Sequence, residues 1–289
     1  MNAYDMWAIR QAVEPSRWDS FAHLIATKRK DPPHYPPPDR TWANLLPELR
    51  ETGFARLPVS VGTEALLEWF KPLHHGAGPH IYSGPNAAFS CYPSGYVIRS
   101  PLLNFMNDPR LLGLVELYME CWPTLYSMNV WWSYPATEPQ LDHMQRFHRD
   151  RDDWRFVTLF IYGTDVDEEH GPHQMILGSH RTDDVGSGED FDKACERKYA
   201  NQINTVTGPA GTAFLVNTIA LHRGLPPKAG PRLIAWGRFG LCAPNINSYD
   251  LEGGPIAARV IPSVQAFNNA KGRFINRLLL DFDAGPYME

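Results

Sequence analysis

Two histidines and one aspartate have the spacing of a metal site. His148 and Asp150 are separated by one residue, and side chains two residues apart on a strand point to the same side. His222, which ends a later predicted strand, is the best candidate for a third ligand. Two histidines and one carboxylate on one face of a metal ion leave the opposite face open. That arrangement is typical of non-haem iron(II) oxygenases.

Arg232 is a candidate for binding a carboxylate near the metal. It opens the next predicted strand, ten residues after His222, and a guanidinium offers a planar fork that matches a carboxylate. One strand away from the metal, Arg232 would hold the far carboxylate of 2-oxoglutarate while the keto-acid end chelates iron and O2 takes the remaining position. An isolated His-x-Asp occurs often by chance. The ordered set of four residues is a more specific pattern.

Three segments resemble the phytanoyl-CoA dioxygenase family of Fe(II)/2-oxoglutarate oxygenases. They are MQRFHRD (144–150), TDVDEEHGPHQMILGSH (164–180) and GPAGTAFLVNTIALHRG (208–224) with Arg232 following. The resemblance covers about residues 124–240. It implies a mainly β fold, a double-stranded β-helix of the jelly-roll or cupin type, beneath a helical N-terminal layer. It also implies that His148, Asp150 and His222 bind iron and that Arg232 binds 2-oxoglutarate.

One position departs from the pattern of that superfamily. Many relatives place a serine two residues after the arginine, where this chain has Ile234. Another hydroxyl, from Thr158 or Tyr162, would then have to assist in binding 2-oxoglutarate.

The implied reaction is hydroxylation of an unactivated C–H bond, coupled to decarboxylation of 2-oxoglutarate to succinate and CO2. The substrate would be a small polar metabolite, neutral or anionic, with a sugar acid such as a lipopolysaccharide sugar as one candidate. The substrate candidates are Arg238, which shares strand parity with Arg232, together with Arg146, Gln145 and Trp236. An outward-facing Arg238 is nearly as compatible with the sequence. Two alternatives stay open: a cupin-like metalloenzyme without 2-oxoglutarate, and an inactive jelly-roll binding module.

The remaining histidines fit structural or surface roles. His180, in Gly178-Ser179-His180, is interpreted as structural or as a neighbour of the site rather than as a ligand. Loop or surface positions are also assigned to His74, His75, His80, His143, His170 and His173.

The elements that must position these residues form a β-rich core. We predict a single catalytic domain over residues 1–289, with a mainly helical and loop outer layer (1–123), the β core (124–240) and a C-terminal extension (241–289). Asp108-Pro109 has the pattern of a helix start. We predict a strand at 144–150, a hairpin formed by INTVTG and TAFLVNTIALH, and a C-terminal helix at 263–282.

Composition limits the classes of partner. The formal net charge is −5, with 27 Lys+Arg against 32 Asp+Glu, and nucleic-acid binders normally carry a basic excess. No apolar run reaches the roughly 20 residues of a membrane span, and no secretory signal is visible. The four cysteines include no C-x-x-C pair. We therefore expect a cytoplasmic protein with a small-molecule substrate; the sequence does not predict its oligomeric state.

Overall fold

The fold is known from a computed structural model of the chain. It describes residues 9, 12–29, 40–58, 64–73, 80–82, 89–92, 94–135, 141, 143–186, 188–241 and 255–284. Among these residues, no helix is long and apolar enough to cross a membrane. His74 and His75 lie outside the described residues, as does the side chain of His80.

Most of the α-helices precede the long strands. The described α-helices are α1 (Trp18–Lys28), α2 (Arg40–Ala43), α3 (Leu45–Thr52), α4 (Glu64–Phe70), α5 (Ser94–Val97), α6 (Pro101–Met106), α7 (Pro109–Met119), α8 (Glu189–Lys198) and α9 (Ala270–Asn276). Short 3-10 helices span Pro15–Arg17, His143–Gln145, Ser179–Arg181, Ala258–Val260 and Pro262–Phe267.

The strands are distributed over the whole described chain. They are β1 (Phe54–Arg56), β2 (His80–Tyr82), β3 (Phe89–Cys91), β4 (Thr124–Ser133), β5 (Phe156–Tyr162), β6 (His173–Ile176), β7 (Ile203–Val206), β8 (Ala213–Val216), β9 (His222–Gly224), β10 (Arg232–Gly240), β11 (Ile256–Ala257) and β12 (Leu280–Asp281).

Two antiparallel sheets carry the candidate site. The main sheet has seven strands in the order β1-β8-β5-β10-β4-β3-β2, and a smaller sheet has the order β7-β6-β9. The strands β11 and β12 form a separate parallel pair. The architecture is therefore a mixture of helices and antiparallel sheets.

The main sheet is covered on both faces. One face contributes to a large cluster with helices α1 to α7, which contains residues such as Leu125, Leu159 and Leu233. The opposite face contributes Phe160 and Trp236 to a second cluster, which also contains residues of the smaller sheet. Burial on both faces explains why every residue of β4 and β5 is buried and why β5 is apolar except at Thr158.

Alternation along β10 divides its side chains between these two clusters. Leu233 and Ala235 belong to the helix-covered cluster, whereas Ile234 and Trp236 belong to the cluster between the sheets. Arg232 and Arg238 have the parity of Ile234 and Trp236, and all four line one cavity. The predicted common orientation of the two arginines is confirmed.

The predicted helix start at Asp108-Pro109 agrees with the structure. Asp108 caps α7 because its side chain accepts a hydrogen bond from the Arg110 N–H at 2.8 Å, with Pro109 at the first helical position. Helix α3 ends at Thr52 and is capped by Gly53, whose φ of 79° is in the left-handed region that favours glycine, and β1 follows at once.

Other local predictions are wrong. Residues 144–150 form no strand; the segment begins in a 3-10 helix, and His148 makes an isolated bridge to His222. The predicted hairpin does not form, because β7 pairs with β6 whereas β8 pairs with β5 and β1.

Two terminal regions also differ from the prediction. The region 1–123 contributes strands β1, β2 and β3 to the main sheet as well as helices. The segment 263–282 holds part of a 3-10 helix, the short α9 and β12 instead of one helix. Long-range pairing decides these elements, and local residue preference does not reveal it.

Candidate metal centre and cavity

Backbone hydrogen bonds bring the three predicted metal ligands together. His148 and His222 exchange both N–H to carbonyl bonds at 3.0 Å, which places them directly opposite each other. Their rings lie 4.3 Å apart between centroids. Asp150 is held two residues further on, where its N–H donates to the Thr218 carbonyl at 2.9 Å.

Both histidines direct the same nitrogen toward a possible metal. His148 Nδ1 lies 2.8 Å from the Arg146 carbonyl oxygen, and His222 Nδ1 lies 2.9 Å from the Ala220 carbonyl oxygen. A carbonyl only accepts hydrogen bonds, so each Nδ1 carries the proton and each Nε2 keeps its lone pair. The two Nε2 atoms lie 3.8 Å from oxygens of the Asp150 carboxylate.

The protonation states of these groups suit metal binding. Burial lowers the pKa of His148 and lowers the pKa of His222 to about 4, so both rings are neutral near pH 7. Burial alone would raise the pKa of Asp150. The Arg238 guanidinium, the two histidines and a Thr218 hydrogen bond outweigh burial and hold the pKa of Asp150 below its usual range.

The three side chains fit a divalent metal such as iron. Their ligand atoms lie within 4.8 Å of one another, and the described residues hold no other group of this kind. Two neutral imidazole nitrogens and one carboxylate oxygen form the facial donor set of non-haem iron(II) sites. The hydrogen bonds from each Nδ1 fix the ring orientations, which is the usual role of partners behind metal ligands.

The ligand atoms open into a cavity of about 500 Å³ between the two sheets. This volume is within the range of small-molecule sites. Its apolar walls are formed by Phe89, Trp131, Met144, Phe160, Ile234 and Trp236. The other lining residues are Ser133, His143, Asp152, His173, Gly224, Arg232 and Arg238, besides the three ligands.

Arg232 is a buried cation in this cavity. Its side chain is 4% exposed, and Nη2 donates to Ser133 Oγ at 3.1 Å. Its Nε and Nη1 atoms are buried without a hydrogen-bond partner among the described residues. Burial lowers the pKa of Arg232, and Tyr162 opposes that shift. Buried charges are normally paired. The unsatisfied donors of this guanidinium are therefore suited to binding an anion.

Arg238 also lines the cavity, but it is paired. Its Nη1 donates to Asp152 Oδ2 at 2.9 Å, and its Nη2 lies 3.4 Å from Asp150 Oδ2. Tyr126 donates a further hydrogen bond to Asp152 at 2.9 Å. Arg238 therefore connects the ligand carboxylate to a second carboxylate.

The two predicted hydroxyl groups lie elsewhere. Thr158 contacts Thr218 at 3.2 Å between hydroxyl oxygens, behind Asp150. The Tyr162 hydroxyl donates to the Val206 carbonyl and accepts from the His173 N–H. Neither Thr158 nor Tyr162 is among the residues that line the cavity.

The remaining predicted residues divide into two groups. Trp236 lines the cavity, whereas Gln145 and Arg146 do not. Gln145 is buried, and Arg146 lies 3.3 Å from the Asp192 carboxylate. His180 lies outside the metal group and contacts the Arg50 carbonyl through Nε2 at 3.2 Å.

Three residues that line the cavity were not predicted from the sequence to be site residues. Asp152 shares the parity of His148 and Asp150, a signal that could have identified it. His143 lies 5.9 Å from the His148 ring, between centroids. His173 is buried and lines the cavity, which overturns the prediction of a loop or surface position. Burial, together with His222 and Arg232, lowers the pKa of His173 well below its ordinary value.

Comparisons with known proteins give a structural relation only. No family model and no curated protein matches the chain. The epimerase SnoN, solved in complex with Fe3+, alpha ketoglutarate and nogalamycin RO, is similar with a TM-score of 0.50 and 18% identity, over 68% of this chain and 82% of that chain. EctD from S. alaskensis gives a TM-score of 0.47 and 17% identity, over 73% of this chain and 82% of that chain. The likeness to SnoN shows a shared fold.

Proposed function

We propose that the chain is a non-haem Fe(II)/2-oxoglutarate-dependent oxygenase that hydroxylates an unactivated C–H bond of a small polar metabolite. One observation carries the proposal. A preoriented His148, Asp150 and His222 group opens into the same cavity as Arg232, a buried guanidinium without a carboxylate partner among the described residues. Metal ligands and a free anion-binding group in one cavity are what a keto acid that chelates iron requires.

The proposal includes the finer fold and the family. The two antiparallel sheets around one cavity support a double-stranded β-helix, with residues 1–289 as one catalytic domain. The motifs around His148, Asp150 and His222 support a phytanoyl-CoA dioxygenase-like protein. The likeness to SnoN, whose structure holds Fe3+ and alpha ketoglutarate, is consistent with this assignment. Cytoplasmic localisation stays a prediction from the sequence.

Each residue has a defined task in this function. His148 and His222 would present Nε2 to the metal because their Nδ1 protons are held by backbone carbonyls. Asp150 would supply an ionised oxygen, and Arg232 would bind the far carboxylate of 2-oxoglutarate. Bound iron(II) and 2-oxoglutarate supply oxidative decarboxylation to succinate and CO2, using O2, and the oxidation of the substrate C–H bond.

The walls would orient the substrate. Phe160, Trp131 and Trp236 line the space beside the ligands with aromatic surface. Such a wall would hold a substrate carbon near the metal, and this positioning is the main contribution a protein makes to such chemistry.

The contacts of Arg238 narrow the class of substrate that we propose. From the sequence, a sugar acid is one candidate substrate, and Arg238 is one residue that could bind an anionic group. Arg238 instead pairs with Asp150 and Asp152, so its charge is already compensated. We therefore propose a polar metabolite and no longer favour a sugar acid.

Anaerobic titration of the metal-free protein with Fe(II) and then 2-oxoglutarate tests the function. We expect a visible metal-to-ligand charge-transfer band in the wild type, no band in His222→Ala and a weakened band in Arg232→Met. Admission of O2 should then yield succinate. Folded protein that binds iron without the band would favour a cupin-type metalloenzyme, and protein without iron affinity would favour a binding module.

A further inference from the structure

His173 is a buried polar group that the proposed function has not used. Its side chain lines the cavity and is 4% exposed. The ring lies 5.6 Å from the His222 ring at an interplanar angle of 23°, and 4.8 Å from the Phe160 ring. Its Nε2 atom is buried without a hydrogen-bond partner among the described residues. A buried polar atom left in this state calls for an explanation.

Strand pairing places this imidazole beside Arg232. His173 on β6 is directly opposite Gly224 on β9, and opposite residues of an antiparallel pair project to the same face. A Cβ added at Gly224 would lie only 3.2 Å from Arg232 Nη2. The guanidinium therefore covers Gly224, on the face from which the His173 side chain projects.

The chemistry of the two side chains is complementary to one kind of group. Arg232 offers Nε and Nη1 without acceptors, and His173 offers Nε2. A neutral imidazole can carry its proton on either nitrogen, so Nε2 can donate. A carboxylate accepts several hydrogen bonds. An apolar ligand group would leave these atoms unpaired, and a cation would meet a buried guanidinium.

We propose that His173 and Arg232 together bind the distal carboxylate of 2-oxoglutarate, with His173 Nε2 donating a hydrogen bond to one carboxylate oxygen. The proposal rests on the proposed function and names a binding residue beyond Arg232. It replaces the hydroxyl sought at Thr158 or Tyr162, since neither lines the cavity. Both groups are fixed on sheets, so they select a 2-oxo acid that carries a second carboxylate.

The test compares two keto acids on the iron-loaded protein. 2-Oxobutyrate has the same chelating end as 2-oxoglutarate but lacks the distal carboxylate. We titrate wild type and His173→Phe anaerobically with each acid, following the charge-transfer absorbance and the heat of binding. Hydrogen bonds to charged groups predict an increase of about 10- to 100-fold in the Kd for 2-oxoglutarate. The Kd for 2-oxobutyrate should stay within about 3-fold.

Two further variants make the comparison specific. His170→Phe removes an imidazole that lies outside the cavity lining and pairs with Asp167, and it should leave both constants unchanged. His173→Gln keeps an N–H donor and should bind 2-oxoglutarate more tightly than His173→Phe does. If His173→Phe fails to fold, His173→Leu takes its place in the same comparison.

The possible results distinguish a failure of this proposal from a failure of the proposed function. Equal weakening of both acids would mean that His173 acts through His222 and the metal, which overturns the proposal. An unchanged Kd for 2-oxoglutarate would also overturn it, even if Arg232→Met abolishes binding. A wild type that binds iron but no 2-oxoglutarate contradicts the proposed function itself.

Discussion

Replacement of Arg232 by methionine should stabilise the metal-free protein while weakening the affinity of the iron-loaded protein for 2-oxoglutarate. The arginine is 4% exposed, and its one hydrogen bond among the described residues goes to Ser133. Burial lowers its pKa, which means that the surroundings disfavour the charged form. A side chain kept for ligand binding at the expense of folding has these properties.

The size of the expected stabilisation follows from the unpaired donor atoms of Arg232. A buried donor without a partner costs about 1 to 3 kcal/mol, and two such atoms, Nε and Nη1, are present. Loss of the Ser133 hydrogen bond removes only about 0.5 to 1.5 kcal/mol. Apolar replacement of buried ionic groups is often stabilising by about 1 to 4 kcal/mol. We expect Arg232→Met to raise the free energy of unfolding of the metal-free protein by about 1 to 4 kcal/mol.

Urea unfolding in the presence of chelator measures this change, with Arg149→Met as the matched control. Arg149 donates to three backbone carbonyls, those of Ser179, Asp184 and Ile219, and to the Thr182 hydroxyl. Its replacement should therefore destabilise the protein by about 2 to 5 kcal/mol. Arg232→Met should gain less stability than the wild type when 2-oxoglutarate is added to the iron-loaded protein.

A destabilised Arg232→Met would refute this reasoning. A loss above about 1.5 kcal/mol, the upper end of the worth of one hydrogen bond, would mean that the arginine is a structural group with partners. Unchanged affinity for 2-oxoglutarate would refute the binding role independently.

Three further predictions concern pH, packing and metal. Burial, with Arg181 nearby, lowers the pKa of His180 to about 4. Because histidine in the unfolded chain titrates near 6.5, the metal-free protein should lose stability as the pH falls from about 6.5 to 4. Denaturant unfolding at a series of pH values should show a smaller loss for His180→Gln. A Cβ at Gly237 would lie 2.2 Å from Met106 Cε, so Gly237→Ala should cost about 1 to 3 kcal/mol; an equal cost in a Met106→Ala background would contradict this cause. Fe(II) at about 100 times its Kd should stabilise the wild type by about 2.7 kcal/mol in anaerobic thermal unfolding, and a similar gain in His148→Ala would show that the metal binds elsewhere.

The sequence predicts the ligand group because its geometry is largely local. His148 and Asp150 converge through their spacing, and the alternation of β10 places Arg232 and Arg238 on one face. Although the segment 144–150 forms no strand, the bridge between His148 and His222 brings the three side chains together. Local spacing is thus sufficient for the His148–Asp150 pair and for the orientation of the arginines, whereas His222 joins them through long-range pairing.

The contacts behind and beside the ligands could not be predicted, since they join distant parts of the chain. His173 reaches the cavity because β6 pairs with β9, which also places Gly224 beneath Arg232. Arg238 is already paired inside the cavity because Asp152, 86 residues earlier, accepts its hydrogen bond. Such pairings depend on sheet topology, and no local pattern encodes them.

A crystal structure of the protein with Fe(II) and 2-oxoglutarate, prepared without oxygen, tests the central claim most directly. We predict an anomalous iron peak bound by His148 Nε2, His222 Nε2 and the Asp150 carboxylate, with the far carboxylate of 2-oxoglutarate on Arg232. An iron peak at other residues, or a 2-oxoglutarate molecule whose far carboxylate avoids Arg232, would contradict the account.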